Sequence, residues 1–471
     1  MAMGKKTEQQ DELFIASAAL PQGPGHVFYD KLNAALAQHG FDGLVQERCQ
    51  KFYAQVMGRP SLAPGVYFRL LFVGYFEGID SERGIAWRAA DSLALRRFLG
   101  YALTENPPDH STLSRTRRLI DLETHRDIFQ WVVTTLACEG LIDGKTLGID
   151  ATTLEANAAL RSIIRRDTGE AYQELLTRLA QASGIETPTR EDLAKVDKKR
   201  KKKGSNKDWE HPHDPAARIT KMKDSRTHLA HKAEHAVDLT TGAIVGVTLQ
   251  GADKGDTETV DNTLEAARET LEKAAENKDA QRRMHPRPAR EVVADKGYHS
   301  NDVLTGLENQ DIRAYISEPK RGRRNWEDQG YARKCVYANR RRIKGSRGGR
   351  LMRRRGELVE RSFAHCYETG GMRRTHLRGR GNILKRLLIH TGAFNLGLLL
   401  RKTMGAGTPR QLAEALKTTQ KSVFEAAYRS LSRLHASWMT LKLPCFQRCT
   451  RTTYILSLRY AGQKLTFATG C

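Results

Sequence analysis

The chain has 471 residues, enough for two or three domains with substantial cores. Its formal net charge of +24 and pI near 9.8 set it apart from near-neutral soluble enzymes and favour phosphate-bearing partners, above all nucleic acid. The apolar runs Leu70 to Phe76 and Leu396 to Leu400 are too short to span a bilayer, and Met1 to Phe14 has no signal-peptide core.

Residues 1 to about 140 read as helical, with apolar positions at helical spacing in Tyr67 to Phe76 and Ile85 to Leu99. Pro60, Pro64, Gly84, Gly100 and Pro107-Pro108 punctuate them. In Asp109 to Ile120 either Asp109 or Ser111 can cap a new helix, with Leu113, Thr116 and Ile120 on one face. Arg115 and Arg118 fall on the other face and, with Arg117, are candidate DNA contacts; a solvated amphipathic helix is the competing reading.

Lys145 to Asp150 is a short apolar strand expected to end on the carboxylate of Asp150. Residues 154 to 192 read as charged helix, followed by Lys198 to Lys207, a basic run expected to be a mobile linker touching phosphates. His228, His231 and His235 have spacing that suits a metal, but they lead into a β-hairpin, Ala236 to Leu249. Asp253 and Asp256 follow, then a helix from about Thr257 to Asn277.

Arg290 to Tyr298 repeats the strand-then-acid design: Val292, Val293 and Ala294 form an apolar run that stops on Asp295 and turns at Gly297. In α/β sheets the carboxyl ends of strands are where loops converge on one crevice. A short helix around Asp302 to Glu308 and a strand, Ala314 to Ile316, come next. Glu360 lies in a helical turn with Leu358, Val359 and Phe363. Three such carboxylates can hold two divalent cations, and Mg²⁺ or Mn²⁺ prefers oxygen ligands to His or Cys. Such a pair suits cleavage of a phosphodiester by the two-metal mechanism.

Lys320 to Arg355 carries fifteen Lys or Arg against Glu327 and Asp328, and is expected to be a basic loop with Trp326, Tyr331 and Tyr337 interleaved. Lys320, Arg321, Arg323, Arg324, Arg340, Arg341 and Arg342 are its candidate DNA contacts. Ile383 to Leu399 is a core-forming helical stretch, and Thr408-Pro409 starts another helix to about Leu434. Tyr454 to Tyr460 alternates like a strand without an evident partner. Seven scattered cysteines fit a reducing, cytoplasmic compartment, with Cys445 and Cys449 a weak metal or redox hint.

Strands clustered among helices that can cover both faces suit a mixed α/β sheet of the RNase H-like kind, preceded by an all-helical region. Gly148 to Asn157, His231 to Leu239 with Thr241-Gly242, Ala294 to Tyr298, Val359 to Phe363 and Met372 to Gly379 follow one another in this order. With Ser61 to Pro64 and Asp109 to Arg115 before them, they resemble the DDE-type transposases of bacterial insertion sequences, in the broad insertion-sequence four and five group.

The resemblance implies a helical DNA-binding domain over 1–140, an RNase H-like catalytic domain over 141–405 with an insertion at about 154–225, and a C-terminal region over 406–471 of unassigned role. It implies a cytoplasmic, nucleoid-associated enzyme that binds the inverted ends of its element, cleaves DNA and transfers the 3′ end, paired as a dimer or larger assembly on DNA. Asp150, Asp295 and Glu360 would be the acids that hold two Mg²⁺ or Mn²⁺ ions. The family's signature around its Glu has Tyr, Arg and Lys where this chain has Arg353, Gly356 and Tyr367. Arg355, Arg361, Arg373 and Arg374 are the proposed substitutes. A nuclease that cuts without joining and an inactive DNA-binding derivative are the alternatives.

Overall fold

The computed structural model describes residues 26–54, 61–200, 204–222, 224–320, 322 and 324–441. Contacts divide the chain into two compact units, Met1–Pro409 and Arg410–Cys471. Arg321, Arg323, part of the Lys198 to Lys207 run, Cys445, Cys449 and the strand expected at Tyr454 to Tyr460 lie outside the described residues.

The first described elements are helices, as the punctuation implied: α1 (Val27–Gln38), α2 (Phe41–Cys49), α3 (Pro64–Phe76), α4 (Glu82–Asp91), α5 (Leu93–Leu99), α6 (His110–Leu119) and α7 (Leu122–Cys138). Pro64 opens α3 at a position where its missing N–H costs nothing. Tyr67 to Phe76 are all buried, so α3 is the core of this layer. Asp109 caps α6 by accepting from Thr112 N at 2.8 Å. Lys385 closes the other end of α6, its Nζ donating to the carbonyls of Arg117 and Ile120 at 2.9 and 2.7 Å.

Lys385 belongs to α15 (Arg380–Met404), a core helix packed on α7 and α3. Among the described residues, one span, Arg380–Leu434, which covers α15 and part of the helix that follows it, contains an apolar window long enough to cross a membrane, and 89% of that window is buried in the protein. In the second unit, α16 (Pro409–Leu441) carries Leu416, Phe424, Tyr428, Leu431 and Leu434 exposed.

The central sheet combines β1 (Thr146–Glu155), β4 (Arg218–Lys221), β5 (Thr227–Asp238), β6 (Ile244–Gly251), β7 (Glu291–Ala294) and β8 (Arg313–Ile316). β5 pairs antiparallel with β1, β6 and β4, while β1, β7 and β8 run parallel. This is the mixed RNase H-like sheet expected. The insertion holds β2 (Ile164–Arg165), β3 (Trp209–Glu210), α8 (Tyr172–Ala182) and α9 (Arg190–Lys199) around a small core of Ile163, Leu175, Trp209 and Leu229.

One sheet face is covered by α10 (Asp256–Ala275), followed by α11 (Lys278–Arg283). α10 sits close because Gly246 lacks a side chain: an added Cβ would lie 2.8 Å from Ala267 Cβ and 3.0 Å from its Cα. Gly246→Val should therefore force the helix outward and destabilise the fold by about 2–3 kcal/mol in denaturant unfolding. α12 (Asn301–Asn309) precedes β8, and then come α13 (Gly330–Lys344) and α14 (Ser346–Phe363). The segment expected to be a basic loop is therefore largely a pair of helices, since Arg and Lys are good helix formers and Cys335, Val336, Leu358 and Val359 give them a buried face.

Candidate active site

β1 does not end on Asp150 as expected. Its Ala-Thr-Thr-Leu-Glu continuation keeps pairing with β5, with Asp150 opposite His235 and Glu155 opposite Ala230. What ends near Asp150 is the parallel part of the sheet. Gly148 is level with Val293, and β7 stops at Ala294, so two steps along each strand bring Asp150 and Asp295 to corresponding positions. Both acids stand where the parallel sheet opens into loops.

α14 crosses the face carrying Gly148 and Asp150, which point the same way because strand residues alternate. A Cβ on Gly148 would lie 2.9 Å from Val359 Cγ2, so this glycine lets the helix settle on the strand. From that helix Arg355 reaches Asp150, with Nη2 2.6 Å from Oδ2, and is itself 9% exposed. The guanidinium proposed as a DNA contact is an internal partner of the first acid instead. Burial pushes the Asp150 carboxyl up to about 6, Arg355 and the Ala151 N–H pull the other way, and Asp295 and Asp256 add to the rise.

Asp295 accepts from Gly297 N at 2.8 Å and caps the turn that follows. Gly297 is hemmed in by carboxylates: an added Cβ would collide with Asp256 Oδ2 and lie 3.0 Å from Asp295 Oδ1. Asp256, the first residue of α10, is therefore a further acid of this crevice that the sequence reading passed over. Its signal was its place, a few residues after a strand and at a helix start.

Glu360 is exposed on α14. At about 100° per residue it lies about 160° around the helix from Leu358 and 60° from Phe363. Leu358 faces the β5–β6 turn at Gly242, and Arg354 donates to Thr240 O there. Phe363 packs on the opposite side, its ring centroid 4.7 Å from that of His235, the neighbour of Asp150. Glu360 thus occupies the flank toward the carboxyl end of β1. Among the described residues, no three His, Cys, Asp or Glu side chains gather at metal-ligating distances. The structure brings Asp150 and Asp295 to corresponding positions, while Glu360 is on the helix that crosses the Asp150 face and makes no contact with either acid among the described residues. The donor set suits a hard cation, since carboxylate oxygens predominate and the three negative charges of Asp150, Asp295 and Asp256 crowd one crevice.

Two family models match the chain: Transposase domain (DUF772) over residues 17–119, and Transposase DDE domain over residues 165–396. The chain belongs to the DDE-type insertion-sequence transposases. The second match includes Asp295 and Glu360 and begins after Asp150. No curated protein and no solved structure matches the chain significantly. Enzymes of this family act on DNA and generally depend on divalent metal ions.

The transposase spends its β5 histidines separately. His228 meets Asp224 at 2.8 Å, and buried His231 meets buried Asp214 at 3.1 Å. Ser362 Oγ donates to Val359 O, so His235 Nδ1–H donates to Ser362 Oγ at 3.0 Å and Nε2 accepts from Tyr367 OH at 2.7 Å. Burial holds this imidazole neutral, at about 3. It serves as a spacer between β5 and α14.

The candidate DNA contacts divide into two groups. Arg115 and Arg118 of α6, Lys320 and Arg341 are exposed, as a surface contact requires. Arg117 is instead 8% exposed and paired with Glu82 at 2.7 Å. Arg340 and Arg324 both pair with Glu318, and Arg342 pairs with Glu308 at 3.0 Å. The Arg340 and Arg342 pairs dock α13 against neighbouring elements. Arg361 pairs with Glu357 one turn away, and Arg373 with Glu368. Arg374 lies 3.7 Å from Glu155, in a segment whose backbone bonds to the far end of β1. Charge in the sequence had been read as exposure; for Arg117, Arg340, Arg342 and Arg374 it is acids distant along the chain that account for the difference.

Proposed function

We propose that this transposase binds the inverted terminal repeats of its own element, hydrolyses the phosphodiester at the element's 3′ end and joins the freed 3′-hydroxyl to target DNA. Asp150, Asp295 and Glu360 are the acids that would hold two Mg²⁺ or Mn²⁺ ions, and the protein works as a dimer or larger assembly on DNA. The observation that supports this reading is that Asp150 and Asp295 fall at corresponding positions where the parallel β1–β7 pairing ends, with α14, the helix that carries Glu360, crossing the Asp150 face.

Bound ions would supply charge stabilisation at the attacking and departing oxygens. The chain's own residues supply position. β1 and β7 are rigid and paired, so the two aspartates cannot drift apart, and the Gly297 N–H fixes the Asp295 carboxylate. Arg355 holds Asp150 in place through its 2.6 Å ion pair. Exposed cations on α6 and α13 are suited to following a DNA backbone.

Arg341→Gln should lower the salt dependence of DNA binding by about one unit of slope without affecting folding. Arg340→Gln and Arg342→Gln should also loosen α13, because each removes an ion pair. Binding isotherms across a salt series, with melting curves alongside, separate these outcomes. The function itself is tested by strand transfer. A labelled duplex ending in the element's repeat, incubated with a second duplex, should yield a joined product with wild type and none with Asp150→Asn. Nicking without joining would make the protein a nuclease, and binding without nicking would make it an inactive derivative.

A further inference from the structure

On the opposite face of β5 from His235, the floor of the crevice is built from charges that are out of water. Glu234 is fully buried and accepts from Thr259 Oγ1 at 2.6 Å, Thr263 Oγ1 at 2.5 Å and Tyr298 OH at 2.9 Å. Lys232, 5% exposed, places Nζ 3.3 Å from Glu234 Oε1 and 2.6 Å from Asp256 Oδ1, and donates to Thr259 Oγ1 at 2.9 Å. Tyr298 has no exposure and ends the turn that starts at Asp295.

These contacts form one connected path. Asp256 is tied through Lys232 to Glu234, Glu234 through its hydrogen bond to Tyr298, and Tyr298 through the short turn to Asp295. Between the two ends sits Gly297, pressed by both carboxylates. Taking a carboxylate and an ammonium out of water costs several kcal/mol per ion, and well-packed apolar residues in their place are often as stable or more so. Stability alone is therefore a poor reason for a buried Lys and Glu under the sheet. A fully satisfied polar network does confer rigidity and a unique arrangement.

We propose that Lys232, Glu234 and Tyr298 are positioning residues that fix the Asp256 and Asp295 carboxylates around Gly297, and thereby set how strongly the crevice takes a divalent cation. The inference rests on the acid-site reading above. Its test is Mn²⁺ binding to the full-length protein, followed by electron paramagnetic resonance of the free ion, with thermal melting of the same samples. Wild type should bind Mn²⁺, and Asp295→Asn should lose it. Tyr298→Phe, which removes one hydroxyl from a retained ring, should weaken binding about tenfold with little change in melting.

Lys232→Met should melt earlier, because Glu234 is left as an unpaired buried charge. Lys232→Met combined with Glu234→Gln removes both charges; melting should recover while Mn²⁺ binding stays weak. Recovery of both together would make the network a structural support and overturn the proposal. So would unchanged binding in Tyr298→Phe where Asp295→Asn has lost it. If Asp295→Asn binds Mn²⁺ as wild type does, the acid-site reading fails and takes this inference with it.

Discussion

Replacing Asp295 by Asn is expected to cut cleavage of an element-end duplex at least about a hundredfold while leaving binding of that duplex within about twofold. The asymmetry follows from the geometry. Asp295 caps the turn through an oxygen that accepts from Gly297 N at 2.8 Å, and the Asn side-chain oxygen can accept the same bond. The turn, the burial of Tyr298 and the surface offered to DNA should therefore persist. What disappears is a negative charge in a crevice already shaped by Asp150 and Asp256. Single-turnover cleavage and a binding isotherm on the same duplex separate the two effects, and parallel loss of both would assign Asp295 a structural role.

Arg355→Gln is expected to destabilise the metal-free protein by about 2–3 kcal/mol and to leave a smaller deficit in saturating Mn²⁺. Arg355 is buried and its guanidinium is 2.6 Å from Asp150. Without it, Asp150 keeps the opposing influence of Asp295 and Asp256 and loses its cationic partner. A bound divalent cation would take over part of that neutralisation, so the variant should gain more from Mn²⁺ than wild type does. Urea unfolding in chelator and in Mn²⁺ measures this difference directly. Equal stability of the two proteins in chelator would show that the ion pair contributes nothing to holding α14 on the sheet.

Asp150 and Asp295 could be picked out because each apolar run stops on an aspartate at a turn or a change of pattern, which local sequence records. The length of β1 was not, because Ala151 to Glu155 alternates weakly and its strand state is imposed by β5, some eighty residues away. The basic segment misled for a related reason. Arg340 and Arg355 look like surface charge until Glu318 and Asp150 are brought to them by the fold. Lys232 and Glu234 carried no local sign of burial, since a charged pair in an alternating strand normally marks a solvated face. Here α10 and Tyr298 cover that face and satisfy both groups. Asp256 could have been suspected only from its position at the start of α10.

The central claim is that Asp150, Asp295 and Glu360 act as one cation-dependent site. Its most direct test is cleavage of a labelled duplex carrying the element's end, in Mg²⁺, Mn²⁺ or chelator, comparing wild type with Glu360→Gln. Glu360 is exposed and its side chain has no hydrogen-bond or ion-pair partner among the described residues, so the substitution should leave folding intact. The account predicts nicking at the element's 3′ end in either metal, none in chelator and none with Glu360→Gln. Metal-dependent nicking that survives Glu360→Gln would contradict it.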